Sequence, residues 1–305
     1  MAPPGIFVAV AAYRDFECQH TLRDLFERAA RPDLVTAGVV WQLVPGEDDG
    51  CFALRPPARR TRELVIDARE ARGACWAKRR ALDLRDSAPL TLLIDAHMRL
   101  HPRWDVGLRE MLAACPSPRP ILSTYPAPYE PPRRADRCQT PRLLPAKFDD
   151  AGVLALRAED ARLRGPERGA FLAGGFVFAP SALWDEVPYD PSIYFCGEEV
   201  TLSARAFTAG WDVFAPPVCV IHHYYGRSEG ARHWDDDPRW TARNARSLAR
   251  VRHLLGTERS VDPEVTRGLD GPLGLGRRRD LAAFERLAGI DFRRKRVGAP
   301  AGAHP

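Results

Sequence analysis

The sequence predicts an α/β fold, a mainly parallel central sheet flanked by helices. Three observations carry this. Residues 6–12 are an unbroken apolar run of strand length and 90–94 are apolar but for Thr91, as in parallel strands covered on both faces. Segments with apolar residues three and four apart alternate with such runs, as crossover helices alternate with parallel strands. Hydrophobic residues make up 45% of the 305, enough to bury a sizeable core.

Taken in order, the first strand over 6–12 leads to a helix over 21–30 with Leu22, Leu25 and Phe26 on one side. Pro32 separates that helix from a second strand at 35–44. A shorter strand at 64–66 and a helix at 75–84 precede the most apolar strand, 90–95, which stops abruptly in Asp95-Ala96-His97. Residues 104–114 read as helix and 121–124 as strand, and the Pro- and Arg-rich stretch 126–145 as an irregular internal loop. A Gly-led strand follows at 171–179, then a helix at 198–209 with Leu202, Ala206 and Phe207 inward. A strand at 213–220 runs into Ile221-His222-His223. An Arg-rich amphipathic helix spans 239–255 and a short helix 281–287, and 293–305 reads as a disordered tail.

Composition excludes some classes. A net charge of +5 with 28% charged residues admits anionic ligands such as phosphates without demanding a nucleic acid. Basic residues are almost all arginine, with lysine only at Lys78, Lys147 and Lys295, a bias that fits GC-rich codon usage. Seven cysteines, an odd number with no CxxC spacing, argue against a disulfide framework or a zinc knuckle. No basic region precedes the first apolar run, which is only strand-length, so neither a signal peptide nor a membrane span is expected. A cytoplasmic setting is the expectation.

Four constellations carry chemistry. Asp95-Ala96-His97 ends a buried strand, where ligands bind in open parallel sheets. Alternation sends residues i and i+2 to one side, so a carboxylate and an imidazole can face one ion. Such a mixed O/N pair suits Mn²⁺ better than Mg²⁺; an Asp capping a turn beside an incidental His is the plainer alternative. Gly174-Gly175 inside Phe171-to-Phe178 leaves no side chain to pack, which points either to a closely approaching ligand or to a bulge. Gly197-Glu198-Glu199 opens a helix; two carboxylates suit the helix dipole on that ground alone, or one of them faces a cleft and handles an acceptor hydroxyl. After a strand, Ile221-His222-His223-Tyr224-Tyr225-Gly226-Arg227 offers an imidazole to close the metal shell and a guanidinium to brace a diphosphate.

The order of Tyr13-Arg14-Asp15, Asp95-Ala96-His97, Ala173-Gly174-Gly175, Gly197-Glu198-Glu199 and His223 resembles the GT-A glycosyltransferases. More narrowly it resembles the cytoplasmic polypeptide N-acetylglucosaminyltransferases that modify hydroxyproline, and behind them the polypeptide N-acetylgalactosaminyltransferases. IFVAVAAYRD, GACWAKR, LLIDAHMRL, ILSTYP, EVPYDPSIYFCGEE, TAGWDVFAPP and GLGRRRDLAAFERLAGIDF extend the likeness along nearly the whole chain.

The resemblance implies a GT-A (Rossmann-like) fold. It implies a catalytic domain over 1–238, nucleotide-binding in its first half and acceptor- and sugar-binding in its second, with a helical extension over 239–292 packed on it. Asp95, His97 and His223 would be the metal ligands, His223 preferred to His222 for its spacing to Arg227. Tyr13, Arg14, Arg72, Gly73 and Lys78 would meet the nucleotide, together with the metal-borne Asp95, and Arg227 the diphosphate. Gly174 and Gly175 would lie against the donor sugar. Glu198 matches the cleft glutamate, and Glu199 the acidic residue of the xED motif. Ala96 stands where serine is more usual.

The activity implied is retaining transfer of N-acetylglucosamine, with Mn²⁺ or Mg²⁺, from a UDP-sugar to a peptide or protein, glycan or small-molecule hydroxyl. Two rival readings remain. Arg243, Arg246 and Arg250 recur at helical spacing and would make a basic nucleic-acid face. Asp95, His97 and His223 would equally serve a metal-dependent hydrolase.

Overall fold

The computed structural model describes residues 4–54, 58–132, 138–226 and 230–298. Strand β1 (Ile6–Tyr13) is covered on both faces, as its unbroken apolar run requires. Ile6, Val8 and Val10 join one hydrophobic cluster, Phe7 and Ala9 the other. β1 pairs in parallel with β2 (Val35–Leu43) on one side and with β4 (Leu90–Asp95) on the other. β3 (Thr61–Asp67) extends the parallel run beyond β2 as an edge, with Arg62, Glu63 and Val65 exposed.

Helix α1 (Cys18–Glu27) buries Leu22, Leu25 and Phe26 against the first cluster, where α3 (Trp104–Ala113) adds Trp104, Leu108 and Leu112. Helix α2 (Ala74–Asp83) packs Cys75, Ala81 and Leu82 on the opposite face. Between them, β4 turns at Asp95 into the short β5 (Met98–Leu100). The Thr21 hydroxyl pins that turn, donating to the Ala96 carbonyl at 2.6 Å and accepting the Met98 N–H at 2.8 Å.

The second half completes an eight-stranded sheet. β6 (Pro120–Ser123) and β12 (Asp212–Ala215) are parallel, β11 (Phe176–Pro180) runs antiparallel between β4 and β6, and β10 (Glu167–Gly169) closes the edge on β12. The mainly parallel sheet with helices on both faces is the predicted class.

Three local expectations change. Strand 171–179 begins only at Phe176, because residues 171–175 turn around the glycine pair. The irregular loop over 126–145 instead contains β7 (Ala127–Pro128) and starts β8 (Arg142–Phe148), which forms a hairpin with β9 (Leu154–Glu159). Its Pro and Arg content hid the pairing, since both strands lie at exposed edges where Pro is tolerated. The run 213–220 is broken at Pro216-Pro217, so a separate strand, β13 (Ile221–His223), pairs with β5 and β7.

Helices α4 (Ala182–Glu186) and α5 (Glu198–Thr208) complete the second half. α6 (Trp240–Leu255) inserts Val251 and Leu255 into the second cluster, α7 (Pro263–Thr266) adds the buried Val265, and α8 (Leu281–Ala288) brings Phe284 against Phe171 and Phe207. The basic face that the rival nucleic-acid reading needs from Arg243, Arg246 and Arg250 does not form. Arg250 is fully buried, its Nε 2.7 Å from Asp190, and Arg243 donates to the Ala71 carbonyl at 2.8 Å. The arginine spacing therefore follows core contacts rather than a ligand. β14 (Ile290–Asp291) pairs with β15 (Arg296–Val297), so ordered structure replaces the start of the tail expected from 293. No described helix is long and apolar enough to cross a membrane.

Candidate active site

Beyond the carboxyl ends of β1 and β4 opens a cleft of about 660 Å³, where an open sheet places its ligands. Tyr13, Asp15, Asp95, His97, Gly174, Gly175, Glu199, His223 and the segment 230–234 line it.

Asp95, His97 and His223 meet at its floor, each with one potential ligand atom within 4.8 Å of the others. His223 Nε2 lies 3.0 Å from His97 Nε2 and 3.3 Å from Asp95 Oδ2. Pairing of β13 with β5 sets His223 opposite Met98, and the Tyr224 N–H bonds the His97 carbonyl at 3.0 Å, so backbone structure holds the approach. Ala96 packs in the core on the other side, away from the three donors.

Asp15 supplies a partner that sequence reading left unassigned. Arg14 adopts φ +45°, in the left-handed region, and the turn directs Asp15 inward, where it is buried. Its Oδ2 lies 2.7 Å from His97 Nδ1. A Nδ1–H donated to that carboxylate leaves the Nε2 lone pair aimed at the shared point, the usual outer partner of a metal-bound histidine. Its adjacency to Tyr13-Arg14 at the end of the first strand was the only sequence signal.

The donors fit a divalent cation. Burial opposes the charge of Asp95, but the Lys78 ammonium, 3.6 Å away, and the imidazoles outweigh it and hold the carboxylate well below its usual range. Burial lowers His223, against the pull of Asp95, so its ring favours the neutral form that ligates metal. Two imidazole nitrogens and a carboxylate oxygen converging in so small a space compete for one proton unless a cation sits among them.

The glycine pair forms one wall. A side chain on Gly174 would collide with Glu198 Oε1, and one on Gly175 with Asp95 Oδ2. Gly174 also donates its N–H to Glu199 Oε1 at 2.8 Å and accepts from Lys78 Nζ at 2.9 Å. Gly73 faces the cleft at φ +100°, a conformation in which a Cβ would strike the Tyr194 carbonyl.

The two helix-opening carboxylates differ. Glu198 is buried, with Lys78 Nζ at 2.6 Å and the Tyr189 hydroxyl at 3.1 Å on one oxygen and Cys75 Sγ at 2.9 Å from the other. Glu199 is half-buried and accepts from the Tyr125 hydroxyl at 2.5 Å and from Gly174 N–H. Burial pushes it up to about 7 although both hydrogen bonds pull it down. Tyr125 carries no recognisable chemistry in the sequence, and only folding reveals its contact.

The residues expected at the nucleotide take different places: Tyr13, Gly73 and Lys78 line the cleft, and Arg72 does not. Lys78 lines the cleft beneath the glycine wall and is paired with Glu198. Arg14 is clasped by Glu47 at 2.5 Å, Asp48 at 2.9 Å and Asp236 at 3.2 Å, and holds the loop whose Asp236 accepts the Tyr13 hydroxyl at 2.6 Å. Arg72 is exposed over the Trp76 ring and lines a neighbouring depression, because the helix start at Gly73 turns it away. Arg227 lies outside the described residues. The segment 230–236, unassigned from sequence, roofs the cleft through His233, whose ring meets Tyr13, Tyr194, Phe195 and Trp234.

A model of the family described as Glycosyltransferase (GlcNAc) matches residues 5–58 and 53–294. No curated protein matches the sequence. Among solved structures, GalNAc-T7 with UDP, GalNAc and Mn²⁺ superposes with a TM-score of 0.58 at 13% identity, covering 92% of this chain and 54% of that one. The chain thus spans about half the length of that relative. A mannosyltransferase from Pyrobaculum calidifontis, PcManGT, in complex with GDP-Man and Mn²⁺, gives 0.50 at 15% identity over 87% of this chain and 67% of that one. These likenesses show the GT-A fold.

Proposed function

The chain belongs to the glycosyltransferase (GlcNAc) family, and on that premise we propose that it moves N-acetylglucosamine from its UDP ester to a hydroxyl of a peptide, glycan or small molecule, with retention at the anomeric carbon. The convergence of Asp95, His97 and His223 at the cleft floor, beside the Gly174–Gly175 wall, carries this reading.

Those three residues would hold the cation, and their two nitrogens favour Mn²⁺ over Mg²⁺. When bound, such an ion neutralises the charge of a diphosphate leaving group. Asp15 keeps His97 in the ligating tautomer. The glycine wall lets a sugar ring lie against backbone, and the Arg14–Asp236–Tyr13 link steadies the roof above it. Of the helix-opening pair, Glu199 is the better candidate to orient the acceptor or donor sugar. Its ionisation near neutrality suits that task, whereas Glu198 is spent on Lys78, Tyr189 and Cys75. Arg227 retains its proposed place on the diphosphate.

A thermal-shift panel of UDP-sugars, with and without Mn²⁺, tests the reading. Ligand at a hundred times its Kd stabilises by about 2.7 kcal/mol, so UDP-N-acetylglucosamine with Mn²⁺ should raise Tm the most. A panel in which no UDP-sugar shifts Tm, or in which the shift persists in Asp95→Ala, overturns it. Acceleration of UDP release by a hydroxyl acceptor then separates transfer from the hydrolase alternative.

A further inference from the structure

Strand alternation turns His222 away from the cleft that His223 enters, and on that far side it meets two thiols. Cys138, Cys219 and His222 each place one potential ligand atom within 4.8 Å of the other two. Cys219 and His222 are buried and Cys138 half-buried. They come from the segment after β7 and from β13 and its approach, and the Cys219 N–H bonds the Cys138 carbonyl at 2.9 Å, so backbone contact already holds the sulfurs together.

The histidine is pre-set for ligation. Its Nε2 lies 2.8 Å from His101 Nε2, the Ala127 and Pro128 backbone lies beside the ring, and its buried Nδ1 makes no well-formed hydrogen bond among the described residues. An unpaired buried nitrogen is costly, and a metal ion on Nδ1 would satisfy it. Nε2–H would then donate to His101, the outer-partner arrangement usual for metal-bound histidine.

We propose that Cys138, Cys219 and His222 form a second metal site, separate from the cleft, that takes Zn²⁺. Two sulfurs and an imidazole are a soft donor set, which selects zinc over Mn²⁺ or Mg²⁺. Zinc bond lengths hold tetrahedral ligand atoms roughly 3.5 Å apart, and the three potential ligand atoms already lie within 4.8 Å of one another. Three protein ligands leave a fourth position for water. The ion would clamp Cys138 and the residues just after it to β13, the strand that also carries His223. The inference does not depend on the proposed transfer activity.

The test is metal content of the tag-free full chain, purified and dialysed without chelator. About one Zn²⁺ per chain is expected, reduced at least tenfold in Cys138→Ser and in Cys219→Ser and unchanged in His97→Ala. If a cysteine variant fails to fold, the wild-type protein freed of metal and loaded with Co²⁺ gives an independent answer. A thiolate-to-cobalt charge-transfer band that also appears in His97→Ala supports the site. Absence of that band, zinc retention unaffected by Cys138→Ser, or a Cys138–Cys219 disulfide with no bound metal each overturns the proposal.

Discussion

Two histidine pairs sit back to back on one short ladder, and their surroundings differ. His97 and His223 approach through Nε2 atoms 3.0 Å apart, and His101 and His222 do the same at 2.8 Å. Both pairs join the β4–α3 segment to β13. The first meets the carboxylates of Asp15 and Asp95 at the edge of an open cleft, and in the second His222 meets the thiols of the buried Cys219 and half-buried Cys138 on the far side. One backbone arrangement thus presents two ligand chemistries, and neighbouring side chains decide which ion each side suits.

The comparison breaks most sharply at Asp95. Asp95→Ala should lower turnover at least about a hundredfold, since ~1.4 kcal/mol of transition-state stabilisation is tenfold in rate, while leaving zinc at the thiol side untouched. Steady-state kinetics with circular dichroism as a folding control measures it, and wild-type turnover would remove the cation from the chemistry.

Asp15→Asn sharpens the contrast. It keeps shape but weakens the partner that orients His97, so Mn²⁺ affinity should fall about 10–100-fold. Titration calorimetry reads this directly; unchanged affinity would mean that Asp15 only supports the turn.

Glu199 gives a pH signature. Its folded value is raised from 4.5 to about 7, burial being the cause. Its carboxylate therefore forms as pH rises through neutrality, and kcat/KM should drop about tenfold from pH 8 to pH 6. The stability term has the opposite sign: the contribution is full below the unfolded value and is lost as pH climbs through 7. Glu199→Gln should flatten the acid limb, and a limb that persists there belongs to another group.

The smallest effect is expected at Arg72. It is exposed and outside the cleft, so Arg72→Ala should change KM for the donor by less than about twofold, in the ±0.5 kcal/mol range of ordinary surface changes. A tenfold rise would return it to the nucleotide surface.

The central sheet was legible because its strands announce themselves locally: the continuous apolar run at 6–12 and the largely apolar 90–94 demand cover on both faces. Asp95-Ala96-His97 was legible for the same reason, as an abrupt polar stop on such a run. The edge hairpin of β8 and β9 was not, because exposed edge strands carry little apolar pattern and tolerate Pro. Nor was the burial of Arg250, since spacing on a helix cannot tell a solvated basic face from one directed at a buried aspartate.

Local periodicity determined where most strands and helices run, and it left open which of His222 and His223 faces the cleft. Only tertiary structure decided which of them meets Asp95, because that depends on the register of β13 against β5, segments whose histidines lie 126 residues apart. The meeting of Cys138 with Cys219 was equally invisible in their spacing. Alternation is a property of each residue and its neighbours, whereas convergence is a property of how distant segments pack.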